Sequence, residues 1–89
     1  MKEYRIEYTK KADKNLKRIK AKTRFKIFDA IYDISQGNTQ NKDIKKLKNE
    51  DGMYRLRMGQ YRILYTYIFL ELVVLVIDVD VRGNVYKRR

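Results

Sequence analysis

The chain has 89 residues, 44% of them apolar, with eight Tyr and three Phe but neither Cys nor His. That length predicts one domain, residues 1–89, with a core small enough for modest stability, and the absent side chains exclude disulfides, the usual zinc sites and any imidazole proton shuttle. A net charge of +11 points to a phosphate polymer, an anionic surface or an acidic protein as partner.

In chain order, residues 3–8 alternate, with Tyr4, Ile6 and Tyr8 on one face and Arg5 and Glu7 on the other, which predicts a short strand. Thr9 is placed to cap a helix whose apolar positions Ala12, Leu16 and Ile19 recur at helical spacing. Thr23 is a second candidate cap. Behind it Phe25, Phe28, Ile31 and Tyr32, widened by Ile27 and Ile34, form the stripe expected to pack a second helix, which Gly37 should end. Residues 38–52 are polar and turn-rich, so they read as a connection with one helical turn at residues 43–47. Three strands follow at residues 53–58, 61–68 and 72–79, and a short last strand fits residues 84–87. The third of these is apolar on both faces, as a central strand would be. Between the second and third, Ile68-Phe69-Leu70-Glu71 puts an apolar pair at a turn: exposed, it could contact a partner, but such a pair is more often tucked under a neighbouring loop, and that is expected here. The order β-α-α-β-β-β is an α+β pattern: a leading strand, then a two-helix hairpin on one face of a mostly antiparallel, curved sheet.

The charge is unevenly placed. Residues 1–26 carry eleven Lys or Arg against three acids, residues 27–52 four against five, and residues 53–89 seven against three. The first segment is mostly Lys, suited to general attraction. In the last segment every basic residue but Lys87 is Arg, whose planar fork matches phosphate.

The segment YRLRMGQYRILY, residues 54–65, alternates around Gly59-Gln60 and predicts a β-hairpin. A two-residue loop there sets Met58 opposite Tyr61, Arg57 opposite Arg62 and Leu56 opposite Ile63. Directly opposed guanidinium groups are destabilising, so this register implies either a missing polyanion or arginines that splay into solvent or meet a partner protein. Downstream, the tail Asp80-Val81-Arg82-Gly83-Asn84-Val85-Tyr86-Lys87 has a turn signal at Gly83-Asn84 that would return Tyr86 toward Arg82. Arginines beside a phenol suit single-stranded RNA, clamping phosphates and stacking a base.

A hairpin of the form YRxRxGxYRxxY, an apolar strand, and then R-G-x-V-Y-K resembles the RelE/ParE superfamily of bacterial and archaeal toxins, closest to its short RelE-type members, over nearly the whole chain. The resemblance implies the toxin of a type II toxin–antitoxin system: a cytoplasmic, ribosome-dependent endoribonuclease that cuts mRNA in the ribosomal A site. It implies no metal or other cofactor, and a 2′,3′-cyclic phosphate and a 5′-OH as products. Carried onto this sequence, it makes Arg57 and Arg62 the groups that hold the scissile phosphate. Arg82 becomes the proton source for the leaving 5′ oxygen, and Tyr86 the stacking residue or base. Arg55 and Lys87 become auxiliary substrate contacts, and Lys14, Lys17, Arg18 and Lys22 contacts to ribosomal RNA. Asp80-Val81 stands where the family has a glycine and a basic residue before the arginine, so Asp80 is expected either to hold Arg82 or to weaken its grip on phosphate. Without imidazole, such a site works by positioning and charge stabilisation. The implied partners are a RelB-like antitoxin in a higher-order complex, the ribosome and mRNA, with no membrane. Two other readings stay open: a ParE-like poison of DNA gyrase, and a non-catalytic RNA- or ribosome-binding module.

Overall fold

Thr9 joins the first strand to the first helix and ties both to the far end of the chain. In the computed structural model, which describes residues 3–48 and 52–81, β1 (Arg5–Tyr8) leads directly into α1 (Lys10–Lys17). The Thr9 hydroxyl oxygen accepts from Ala12 N–H at 3.0 Å, satisfying one donor of the first turn. The same hydroxyl donates to Ile77 O at 2.6 Å. Helix α2 (Ala21–Ser35) follows after a tight corner. Arg24 Nη1 reaches the carbonyl of Ile19 at 3.2 Å, helping to close the end of α1. Gly37, at φ 85°, ends α2. Its N–H bonds to Ile34 O, and Asn38 N–H bonds to Asp33 O, the paired bonds of a Schellman stop that favours a residue without Cβ.

The remaining chain is strand: β2 (Asp43–Lys46), β3 (Met53–Met58) and β4 (Tyr61–Ile68), then a 3-10 turn (Phe69–Glu71) and β5 (Val73–Val81). The sheet order is β1-β5-β4-β3-β2, with β1 parallel to β5 and every other pair antiparallel. The β3–β4 hairpin has the expected register, with Arg57 opposite Arg62 and Leu56 opposite Ile63. One sheet face carries Leu56, Ile63, Tyr65, Val74, Val76 and Val79. They pack against Ala12, Leu16, Ile27, Ala30, Ile31 and Ile34 of the two helices. The fold is therefore α+β, with both helices on one face of a mostly antiparallel sheet. Ile77 is the extra residue of a bulge, because Leu64 pairs with Asp78 while Tyr65 pairs with Val76. The hydroxyl of Thr9 takes the bulge carbonyl. Among the described residues no helix is long and apolar enough to cross a membrane.

Several expectations are corrected. Residues 43–46 form β2, an edge strand beside β3, where a helical turn was expected. One apolar residue, Ile44 opposite Leu56, suffices when β3 supplies the hydrogen-bond ladder. Lys20, without a side-chain bond, occupies the N-cap of α2 in place of Thr23. The buried face of α2 is Ile27, Ala30, Ile31 and Ile34. Phe25 and Tyr32, expected inside, are 60% and 58% exposed. The Phe69-Leu70 pair is likewise exposed, with Leu70 fully so and the Phe69 ring stacked on Tyr67 at a centroid distance of 5.5 Å. A three-residue turn has no neighbouring loop to hide under. The short strand expected at residues 84–87 lies outside the described residues.

Candidate phosphate-binding face

Four strands place charged residues in one register row. Asp43 of β2 sits opposite Arg57 of β3, Arg57 opposite Arg62 of β4, and Arg62 opposite Asp80 of β5. Alternation along β3 and β4 fixes the face: Leu56 and Ile63 point into the helical core, so Arg57 and Arg62 stand on the other side. Arg55 lies two residues along β3 on that same face, opposite Lys45. The hairpin alone brings Arg55, Arg57 and Arg62 together.

The electrostatics differ from an unopposed cluster. Asp43 Oδ2 accepts from Arg57 Nε at 2.9 Å and lies 2.8 Å from Arg57 Nη2, while its Oδ1 accepts from Arg55 Nη2 at 3.0 Å. One carboxylate thus serves two guanidinium groups. This corrects the alternatives drawn from the sequence, in which both arginines of the opposed pair lacked an internal anion. Arg62 is half-buried and faces Asp80 of β5 on its other side. Its Nε, like that of Arg55, is buried without an acceptor. In and beside this row the three arginines Arg55, Arg57 and Arg62 outnumber the two carboxylates Asp43 and Asp80, which leaves the patch net positive.

Arg82, Tyr86 and Lys87 lie outside the described residues; the described part of β5 ends at Val81, opposite Tyr61. Lys14, Lys17, Arg18 and Lys22 are all exposed. They belong to α1, its C-cap and the start of α2, the layer on the other side of the sheet from the arginine row. Lys17 pairs with Asp13 at 3.2 Å. So the structure groups the hairpin arginines and keeps the helical cations apart from them.

Three features went unread in the sequence. Asp43 is the first, and its signal was the alternation of Asp43-Ile44-Lys45 before a glycine turn. The second is Asp78, which accepts from Asn15 Nδ2 at 2.8 Å and lies 3.3 Å from Lys11 Nζ, holding α1 against β5. The third is a cluster of tyrosines on the helical face. Tyr54 stacks on Tyr65 at 5.5 Å, and Tyr67 meets both edge-on. These rings line a cleft of about 390 Å³ together with Thr39, Lys42 and Ile44. Burial pushes the Tyr65 phenol well above its ordinary value, and the adjacent Tyr67 adds to the effect. Tyr67 and Tyr8 are raised for the same first reason, loss of water. These three phenols are held protonated and offer no base.

The family described as ParE toxin of type II toxin-antitoxin system, parDE, matches residues 6–86. A curated relative from Methanocaldococcus jannaschii that carries the toxin name RelE1 is 28% identical over 87 residues, covering 94% of this chain and 96% of its own. Among solved structures, the RelB-RelE antitoxin-toxin complex from Methanococcus jannaschii aligns with a TM-score of 0.77 and 25% identity, covering 92% of this chain and 96% of that one. The archaeal RelE-RelB complex from Pyrococcus horikoshii OT3 aligns with a TM-score of 0.69 and 26% identity, covering 92% and 98%. The intact RelBE toxin-antitoxin complex of E. coli, at 22% identity and a TM-score of 0.70 over 85% and 93%, shares the fold.

Proposed function

The chain belongs to the ParE toxin family of type II toxin–antitoxin systems, within the RelE/ParE superfamily, and from that membership we propose that it is a ribosome-dependent endoribonuclease that cuts mRNA in the ribosomal A site. The observation that carries the reading is the Arg57–Arg62 opposition on the sheet face away from the helices, with Arg62 Nε buried and without an acceptor. A fold tolerates opposed like charges at a cost, and a bound phosphate would remove that cost.

In the proposed reaction the 2′ oxygen attacks its own phosphorus. The O2′–P bond forms, the P–O5′ bond breaks, the 2′ proton leaves, and the departing 5′ oxygen gains a proton. Arg57 and Arg62 offset the charge that gathers on the phosphoryl oxygens. Arg82 supplies the proton to O5′, while Tyr86 stacks on the substrate or, as its phenolate, receives the 2′ proton and becomes the neutral phenol. Phenols ionise near ~10 and guanidiniums above ~12, so neither is a strong acid–base partner at neutral pH. The ribosome, by fixing the mRNA in line, would supply much of the rate. Arg55 and Lys87 add phosphate contacts, and Lys14, Lys17, Arg18 and Lys22 would face ribosomal RNA from the helical side.

The relatives from the two archaea were solved with RelB-type antitoxins, which supports a cognate antitoxin for this chain, acidic or amphipathic in character to match its +11 charge. A cytoplasmic setting and a higher-order toxin–antitoxin assembly complete the proposal.

The test is primer extension on ribosome-bound message with purified protein. Cuts within A-site codons are expected, lost in Arg62→Ala and Arg82→Ala while RNA affinity falls only modestly. A second reading rests on the ParE name of the matching family: a gyrase poison would leave the message intact and produce protein-linked DNA breaks.

A further inference from the structure

The carboxylate of Asp43 lies where a substrate phosphate could be expected, yet it belongs to the protein. Its geometry resolves that tension. Oδ2 engages Arg57 along one edge of the guanidinium, through Nε and Nη2, and Oδ1 takes Nη2 of Arg55. Among the described residues nothing accepts from Arg57 Nη1. Because the guanidinium is a rigid planar fork, fixing one edge fixes the direction of the other donors.

The strand that carries Asp43 is itself tethered. Lys42, its side chain only 17% exposed, pairs through Nζ with Asp33 of α2 at 3.0 Å. One residue later Asp43 enters the ladder opposite Arg57. Asp33 is also the carbonyl acceptor of the helix-ending bond from Asn38. Helix end, loop and edge strand thus hold the carboxylate beside the arginines. A surface ion pair between two freely moving side chains contributes little. One carboxylate shared by two guanidiniums that stand two residues apart on the same face of β3 is more rigid.

We infer that Asp43 is a positioning residue, which aligns Arg57 and Arg55 for a phosphate at the cost of some attraction for that phosphate. The inference rests on the RNA-cleavage reading and deepens it. Asp43 lowers the local positive charge, so its removal should tighten RNA binding. It also fixes the forks, so its removal should impair the chemical step. Those two effects have opposite signs, a combination that a merely structural role does not produce.

The experiment compares wild type with Asp43→Asn and Asp43→Glu. Binding of the purified proteins to a short single-stranded RNA oligonucleotide is measured against salt, and cleavage is measured on programmed ribosomes at saturating protein. For Asp43→Asn the expected result is about threefold tighter binding at low salt, with a salt slope steeper by up to ~0.7, together with a fall of at least tenfold in maximal cleavage rate. Asp43→Glu, which keeps the charge, should recover much of that rate and return the slope to the wild-type value. The Arg57 side-chain Nε–H resonance supplies a readout independent of cleavage: protected from exchange in wild type and in Asp43→Glu, unprotected in Asp43→Asn. Binding and cleavage falling together, or both rising, would overturn the inference. A wild type that cuts nothing, yet shows the binding shift and the Nε–H protection, would sink the cleavage reading while supporting the clamp.

Discussion

Arg62→Met should make the protein more stable while weakening its hold on RNA. In the folded chain Arg62 stands opposite Arg57, and its Nε is buried without an acceptor. A buried donor left unsatisfied costs ~1–3 kcal/mol, and directly opposed like charges cost a further ~0.2–1 kcal/mol. Methionine keeps an unbranched stem over the same strand and removes both terms, at the loss of some packing from the longer side chain and of the attraction to Asp80 across the ladder, ~0.2–1 kcal/mol. The net gain expected is about 1–2 kcal/mol, which in a domain of this size raises Tm by roughly 4–16 °C. Urea denaturation with an unchanged m-value would confirm that the native state is the one affected. Arg57→Met is the internal contrast. It gives up the contacts to Asp43 at 2.8 and 2.9 Å, so it should be neutral or slightly destabilising. Phosphate should stabilise wild type, by about 1.4 kcal/mol at ten times its dissociation constant, and should stabilise Arg62→Met far less. If Arg62→Met lowered stability by 1 kcal/mol or more, Arg62 would be a structural residue, and the reasoning from its unsatisfied Nε and the opposed charge would fail.

Two further outcomes test the frame around the site. Tyr65 is 1% exposed, and Tyr65, Tyr67 and Tyr8 ionise with more difficulty folded than unfolded, where the value is about 10. Their contribution to stability is therefore complete below that value and lost as pH rises past it. Tyrosinate absorbance should appear in two steps, the second coinciding with loss of far-UV ellipticity, and Tyr65→Phe should flatten that alkaline decline. A single step with secondary structure intact would contradict this. Gly37→Ala forces a Cβ into φ 85° at the end of α2, and should cost about 1 kcal/mol in urea denaturation. No change would mean that the helix end relaxes.

How much of this was legible in the sequence depended on whether a segment's signal was local. The β3–β4 hairpin was fully readable, because period-two alternation on both sides of Gly59-Gln60 fixes register without reference to anything distant. The cap at Thr9 was readable for the same reason, although its second bond, to Ile77, was not. β2 was missed because an edge strand with one half-buried residue in four carries almost no hydrophobic pattern of its own. With it went Asp43, and hence the neutralisation of Arg57. The rotation of α2 was misjudged because two stripes have helical spacing. The aromatic one holding Phe25 and Tyr32 looked heavier than the aliphatic one that packs. Which stripe wins is decided by the sheet face beneath, lined with Ile63, Val74 and Val76, and that face is assembled from segments far along the chain.

The parallel pairing of β1 with β5 sets the timing of folding. Arg5 meets Val73 and Tyr8 meets Val76, so the earliest strand waits for the last described one before either can complete its ladder. Such a sequence-distant closure is slow to find. As the nascent chain lengthens, the helical hairpin and the β3–β4 hairpin can form separately, but the strand that joins them emerges after both. Truncation before Val73 would therefore do more than trim a terminus: it would remove the shared partner of β1, α1 and β4, leaving two hairpins with no common core.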